Sequence, residues 1–401
     1  MTLVNQGYYD INFNLATLRG LCHGNRHDGG SQVHIWSLVR QLGQVGAIYA
    51  SCHVLKWPEY DTRWLEQDLS NADLCRADMR GADLRGYTFN RSELREANLA
   101  GACLEGVDLH EAYLQGSNLE GANLRGANLE AAYLIDANLR GADLEGACLR
   151  RASLHRAHLE GANLKGADLS RAYLTDTNLR AANLKEARLF GAHLWRVEMD
   201  GADLTDAQLY GAQLRSIVCR GAVLERARMN RARLESVAMT DTVMSHADLS
   251  NAQITQCTWT DVEAPRLNLQ GARLQRTQIR RMECAQANLN RAQLHRVTFA
   301  QSNLNEANLD LADIRHSSFE QCRFNHVRIH RTFLHRTQLS NTSTYGTDFT
   351  QISSASQRPW TRGTSPVPKK PSKRTRRCAR RQQAQIRNEV LRQLDHPTHP
   401  C

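Results

Sequence analysis

Aromatic residues make up only 6% of this 401-residue chain, and prolines number eight. No apolar run approaches the ~20 residues of a membrane-spanning helix, and the opening MTLVNQGYYD has no cleavable-signal pattern. A cytoplasmic protein is the expectation, unless export into a host cell uses a signal without a hydropathy mark. Cys401 ends the chain without a prenylation pattern. No Walker loop, GxSxG, HExxH, dinucleotide glycine pattern or CxxC pair occurs, so the sequence gives no support for an enzyme, a cofactor or a metal. The 11 cysteines are scattered, as small buried thiols of a reducing compartment are, and do not suggest a disulfide framework. Cys22, His23, His27, Cys52 and His53 include zinc-ligand types but lack the paired spacing of a finger, and are read as residues without metal.

What the chain does have is a period of five. Positions ending in 4 or 9 from Leu69 to Phe349 give 57 consecutive slots, of which 38 are leucine; only Ala264 and Thr344 are neither large and apolar nor cysteine. A helix at 100° per residue would spread these leucines around its circumference, and a strand at 180° would alternate them between faces. A corner must therefore recur every five residues. Alanine two places before each leucine, as in Ala122 and Leu124, makes a short extended piece with both side chains inward. The result is one long solenoid with an apolar interior and a polar skin.

The units ANLRG, ADLEG, ADLSR and ANLKG resemble the pentapeptide-repeat family. The resemblance implies an all-β, right-handed quadrilateral β-helix with four pentapeptides, hence 20 residues, per coil. Residues 20 apart should then stack like neighbouring strands, and charges support this. Glu120, Arg140, Glu160, Arg180, Asp200 and Arg220 alternate in sign, as do Arg85, Glu105, Arg125, Glu145 and Lys165. About 14 coils and a length of roughly 65 Å follow from the strand spacing.

The four faces differ. Glycines such as Gly121, Gly141 and Gly161 fall at corners, where a positive φ is expected. One outward column carries Tyr113, Tyr133, Ser153, Tyr173 and His193, with Ile135 and Trp195 beside it. It reads either as a contact patch or as stacked rings that brace the coils. From residue 217 to about 300 the small inward slot often holds larger residues (Ile217, Val237, Cys257, Val262, Leu267, Met282), and Pro265 falls in the same stretch; a bent or widened section is expected. Beyond it Arg276, Arg296, His316 and Arg336 share a column next to His295, Arg315 and His335, an electropositive strip unless Glu306, Asp310, Asp313 and Glu320 neutralise it. His326, His330 and His335 fall on three different faces and cannot converge.

Residues 1–66 lack the repeat and read as an N-terminal cap; 67–351 form the solenoid; 352–401 form a flexible basic tail with a short helix predicted within 376–394. The tail holds 12 Lys and Arg against Glu389 and Asp395, while residues 1–351 carry 39 charges of each sign. Its run Lys369, Lys370, Lys373, Arg374, Arg376, Arg377, Arg380 and Arg381 suits nucleic acid, an import receptor or an anionic membrane. The leading functional reading is a protein-interaction scaffold that presents Tyr113, Tyr133, Tyr173, His193 and Trp195 to a protein partner. The second is nucleic-acid binding by the tail with help from Arg276, Arg296, Arg315 and Arg336. The resemblance adds two more: a DNA mimic that protects gyrase, for which the neutral body and basic tail are the wrong charge, and a host-directed bacterial effector. A homodimer through the last coils is a further expectation.

Overall fold

The computed structural model describes residues 68–353. Parallel pairing links each residue to the one 20 places on, from Asp68↔Thr88 to Arg323↔Ser343, without a slip in register. The chain is thus a four-sided parallel β-solenoid of about 14 coils, each pentapeptide one side. The proposed cap (1–66) and nearly all of the proposed tail (352–401) lie outside the described residues.

The pentapeptide's residue types follow from the geometry of a side. Leucine and alanine slots point inward and form one continuous core, most of its members fully buried. The Asn or Asp between them points outward, and its Oδ1 accepts from the amide two residues on, as in Asn123 to Arg125 (3.1 Å) and Asp248 to Ser250 (2.9 Å). This Asx turn starts the corner. Asparagines also bond up the stack, with Asn183 donating to Asn163 and Asn163 to Asp143, both at 2.8 Å.

Every corner residue two places after the leucine slot has positive φ, from Asn71 to Gly346. Glycine takes that conformation freely, but 39 of these corners are other residues, many of them arginine. Each costs roughly 1 kcal/mol of backbone strain. The corner amide bonds to a carbonyl of the next coil, as Arg76 does to Arg95 at 2.8 Å, which holds the strained conformation in place.

Two corner types occur. In the early coils the small-slot amide donates to the leucine-slot carbonyl three residues back, as Ala157 does to Leu154 (3.1 Å). On one column that bond is missing from Thr177 onward (Val197, Ile217, Val237), and on the next from Ala222 onward (Thr242, Val262, Met282). There the sides become regular three-residue strands. Nine, from Tyr173–Thr175 to Phe333–His335, form one sheet; seven, from Val218–Arg220 to Gln338–Ser340, form the neighbouring sheet. The change of corner begins at Thr177, well before the section from 217 to about 300 that was expected to bend or widen, and continues to the last coils with the register intact.

Two slots of one coil depart from the repeat in opposite directions. Trp259 occupies a leucine slot at 0% exposure, and the next slot holds Ala264, also at 0%. A small side chain beside a large one keeps the side-chain volume of that coil close to that of two leucines. Its Nε1 meets no acceptor.

Candidate functional site

The aromatic column and the basic strip, which the sequence reading treats separately, lie on one surface: the outer face of the nine-stranded sheet and its flanking corners. The register runs from Tyr173↔His193 and Thr175↔Trp195 through Gln275↔His295 to Arg315↔His335. Trp195 and His295 are five coils apart, about 24 Å along the axis.

At the aromatic end, Tyr113 and Tyr133 stack at 5.0 Å and 3°, and Tyr173 and His193 at 5.0 Å and 8°. Ser153 separates the two pairs. Stacking braces the coils and hides ring faces between them, yet Tyr173 remains 52% exposed and Trp195 43%. Arg196 lies over the Trp195 ring at 4.4 Å, and Arg215 approaches it at 5.8 Å. Arg196 also hydrogen-bonds Asp176, which holds that carboxyl below the usual carboxylate range. Phe190 and Tyr210, absent from the sequence reading, are exposed on the adjoining side across the corner at Gly191 and Gly211; Tyr210 Oη accepts from Arg231 at 2.8 Å. Their 20-residue spacing was the available signal.

At the basic end, Arg276, Arg296, His316 and Arg336 occupy successive corners at positive φ and are exposed. The His316 ring sits between His295 (5.7 Å) and His335 (5.6 Å). Of the four carboxylates expected to neutralise the strip, only Asp313 shares the face, where it pairs with Arg315 at 2.8 Å. Asp310 pairs with Arg328 on another side, and Glu306 accepts from Gln286. Among the described residues no carboxylate pairs with Arg276, Arg296 or Arg336. Residues 266–351 hold 12 arginines against six carboxylates, so the neutral body is polarised: these coils carry +6 and residues 1–265 carry −6. The tail residues Lys369 to Arg381 lie outside the described residues.

The ladders of alternating charge are present, although not every expected pair closes. Arg140 meets Glu160 at 3.2 Å and Arg125 meets Glu145, whereas Arg85 turns to Asp83 of its own coil. Corner ladders that the sequence reading overlooked, such as Arg226–Asp206 (2.7 Å) and Arg281–Asp261 (2.6 Å), are better formed.

Cys219, Cys257, Cys284 and Cys322 are buried free thiols, as their inward slots imply. Burial pushes Cys219 up to about 12 and Cys257 and Cys322 up to about 11. Cys103 is disulfide-bonded, contrary to the expectation of free thiols throughout. No group of three or more metal-ligating side chains converges among the described residues, and no helix there is long and apolar enough to cross a membrane.

The family profile for pentapeptide repeats matches in overlapping stretches from residues 68–110 to residues 307–343. The one gap, 259–267, holds Trp259, Ala264 and Pro265. No curated protein sequence matches the chain. Among solved structures, HetL, a pentapeptide-repeat protein involved in heterocyst differentiation regulation in the cyanobacterium Nostoc sp., is 29% identical, covering 62% of this chain and 84% of its own, with a TM-score of 0.19. Rfr23 from the cyanobacterium Cyanothece is 32% identical, covering 33% and 91%, with a TM-score of 0.26. Full-length QnrB1, a plasmid-mediated fluoroquinolone resistance protein, is 17% identical, covering 48% and 92%, with a TM-score of 0.24. With the profile spanning well over half of its length, the chain belongs to the pentapeptide-repeat family.

Proposed function

We propose that this chain is a non-enzymatic interaction scaffold whose aromatic end of the nine-stranded sheet binds a protein partner. The observation that carries the reading is the exposure of Tyr173 and Trp195 on the first two strands of the nine-stranded sheet, with Phe190 and Tyr210 around the corner. Rings of this kind, flanked by arginine, are what the buried centre of a protein interface is made of. A ladder that served only to brace the coils would need the stacked pairs but not the isolated Trp195.

Polarisation argues against DNA mimicry, because a mimic needs a negative rod throughout and residues 266–351 are strongly positive. The test is affinity capture with the full chain and with the double variant Tyr173→Ser, Trp195→Ser, whose fold is checked by thermal melting. A stoichiometric protein partner that binds the parent and is lost from the variant supports the reading. Equal capture by both overturns it.

A further inference from the structure

At the basic end of the face the His316 ring lies 5.7 Å from that of His295 on one side and 5.6 Å from that of His335 on the other, beside Arg276, Arg296 and Arg336, with which no carboxylate pairs among the described residues. We propose that this end of the rod is a proton-coupled site for the phosphate backbone of duplex nucleic acid, with the histidine cluster centred on His316 adding charge as pH falls. The inference is independent of the aromatic end and of any protein partner there.

The geometry gives the class of ligand. Arg276, Arg296, His316 and Arg336 stand on four successive coils, three steps of about 4.8 Å, and so span roughly 14 Å. Over that length duplex DNA presents about eight charges. An extended acidic peptide would offer one carboxylate per ~6.6 Å on one face, only two or three in all. A strip of three free guanidinium groups and three imidazoles is better matched by the denser polyanion. Among the described residues Phe333 is the only large ring on this part of the face, half-buried under Arg315 at 5.2 Å, so these residues give no platform for stacking unpaired bases. Contact with the backbone and not with base edges makes the binding insensitive to sequence. In sequence, residues 352–401 follow with 12 further basic residues.

The proton coupling follows from what surrounds His316. Its own column places Arg296 and Arg336 on the coils below and above, and the next column places His295, Arg315 and His335. Across the corner the neighbouring sheet presents the uncharged Thr298, Ser318 and Gln338, with Glu320 at its far edge. Asp313 is engaged by Arg315. Partial desolvation among these side chains, then the charges of Arg336, His335, His295 and Arg296, hold the imidazole below its ordinary range. An arriving phosphate reverses that cause and favours the imidazolium. Binding therefore takes up protons, and affinity rises as pH falls through the histidine range.

The experiment is fluorescence anisotropy of a labelled 20-base-pair duplex with the full chain, across a potassium chloride series at about pH 8 and about pH 5.5. Two variants accompany the parent: Arg276→Gln, Arg296→Gln, Arg336→Gln, and His295→Gln, His316→Gln, His335→Gln. Glutamine already occupies corners at positive φ at Gln256, Gln286 and Gln301, so the fold tolerates it there. The arginine variant is expected to lose about 3 from the slope of log affinity against log salt at both pH values. For the parent that slope steepens by about 2 to 3 on going to the lower pH, and affinity at moderate salt rises tenfold or more. The histidine variant matches the parent at the higher pH and gains little at the lower. A slope that ignores pH, or a histidine variant that steepens as much as the parent, overturns the proposal, the latter assigning the effect to histidines elsewhere such as His396 and His399. Poly-glutamate that binds more tightly than the duplex with the same histidine dependence also overturns it, by making the partner an acidic protein.

Discussion

At the scale of single residues, the informative positions are those that break the repeat. Trp259 and Ala264 break it together. Trp259→Leu alone leaves a void that the surrounding coils cannot collapse into, at a cost of about 3 kcal/mol, and Ala264→Leu alone overpacks the same coil by about 1 to 3 kcal/mol. The double variant restores the consensus slots and removes the unpaired indole N–H, so it is expected near the parent, with a coupling of at least 2 kcal/mol in a denaturant-melting cycle. Additive losses would mean that the two slots are independent. The inward cysteines allow a second check at this scale. Burial disfavours their thiolates and hides them from reagent, so Cys219, Cys257, Cys284 and Cys322 should resist iodoacetamide in the folded protein while the half-buried Cys148 reacts; peptide mapping distinguishes them. The same burial has a sign in pH. These thiols ionise in the unfolded chain near the usual 9.0 but near 12 in the folded one at Cys219, so their contribution is intact below pH 9 and is lost as pH rises toward 12.

At the scale of the coil, the small inward slot decides the corner. At some of the late corners where its amide loses the carbonyl three residues back, a hydroxyl from the next coil replaces it. Val297 donates to Ser317 Oγ and Val327 to Thr347 Oγ1, at 3.1 and 3.0 Å. Those hydroxyls donate in turn to backbone carbonyls, Ser317 to Arg315 (3.0 Å) and Thr347 to Phe324 (2.6 Å). This gives the buried Ser and Thr of the late coils a backbone role that the early Ser92 and Ser117 do not have, since those two donate to the carbonyl three residues back. Ser317→Ala should leave the Val297 amide unsatisfied and lower stability by about 1 to 3 kcal/mol, whereas Ser317→Thr should keep most of it. Equal melting of the two would show that water or a backbone shift serves the amide instead. The inward Leu and Ala slots, the stacking of residues 20 apart and the solenoid itself were legible in the sequence, because one residue type per slot repeats often enough to expose the period. The two corner types were not, because the distinction lies in which backbone group a buried amide finds, and Val107 keeps the tight turn that Val197 does not. The common face of Trp195 and Arg296 was in principle readable once the coil length was known, since the two positions differ by five coils and one residue. Phe190 and Tyr210 were obscured by the corner, which places residues on adjoining sides close in space but in different columns.

At the scale of the whole molecule, the rod is a one-dimensional stack in which contacts run mainly between adjacent coils, Arg323 to Glu283 two coils away being an exception, so small contacts matter through repetition. The corner ladders are the clearest case. Hydrogen bonds from Arg156, Arg196 and Arg226 hold Asp136, Asp176 and Asp206 below the usual carboxylate range. All three pairs are largely exposed, and each alone is worth little after solvent screening. The sign is common to all of them. Such a carboxylate contributes stability above its unfolded value, near 3.8, and loses it as pH falls through the lower folded value. The denaturant midpoint of the full chain should therefore stay level from about pH 7 to about pH 5 and fall progressively below about pH 4. Replacing Asp136, Asp176 and Asp206 together by Asn should lower the neutral-pH midpoint modestly and flatten the acid limb, because the groups that would have been protonated are gone. A decline that instead begins between pH 7 and pH 6 would assign the acid sensitivity to the histidine cluster at the basic end, where protonation adds like charges to Arg296 and Arg336. That outcome would tie the stability of the last coils to the proton coupling inferred for that surface, since a polyanion that relieves the repulsion would restore the midpoint.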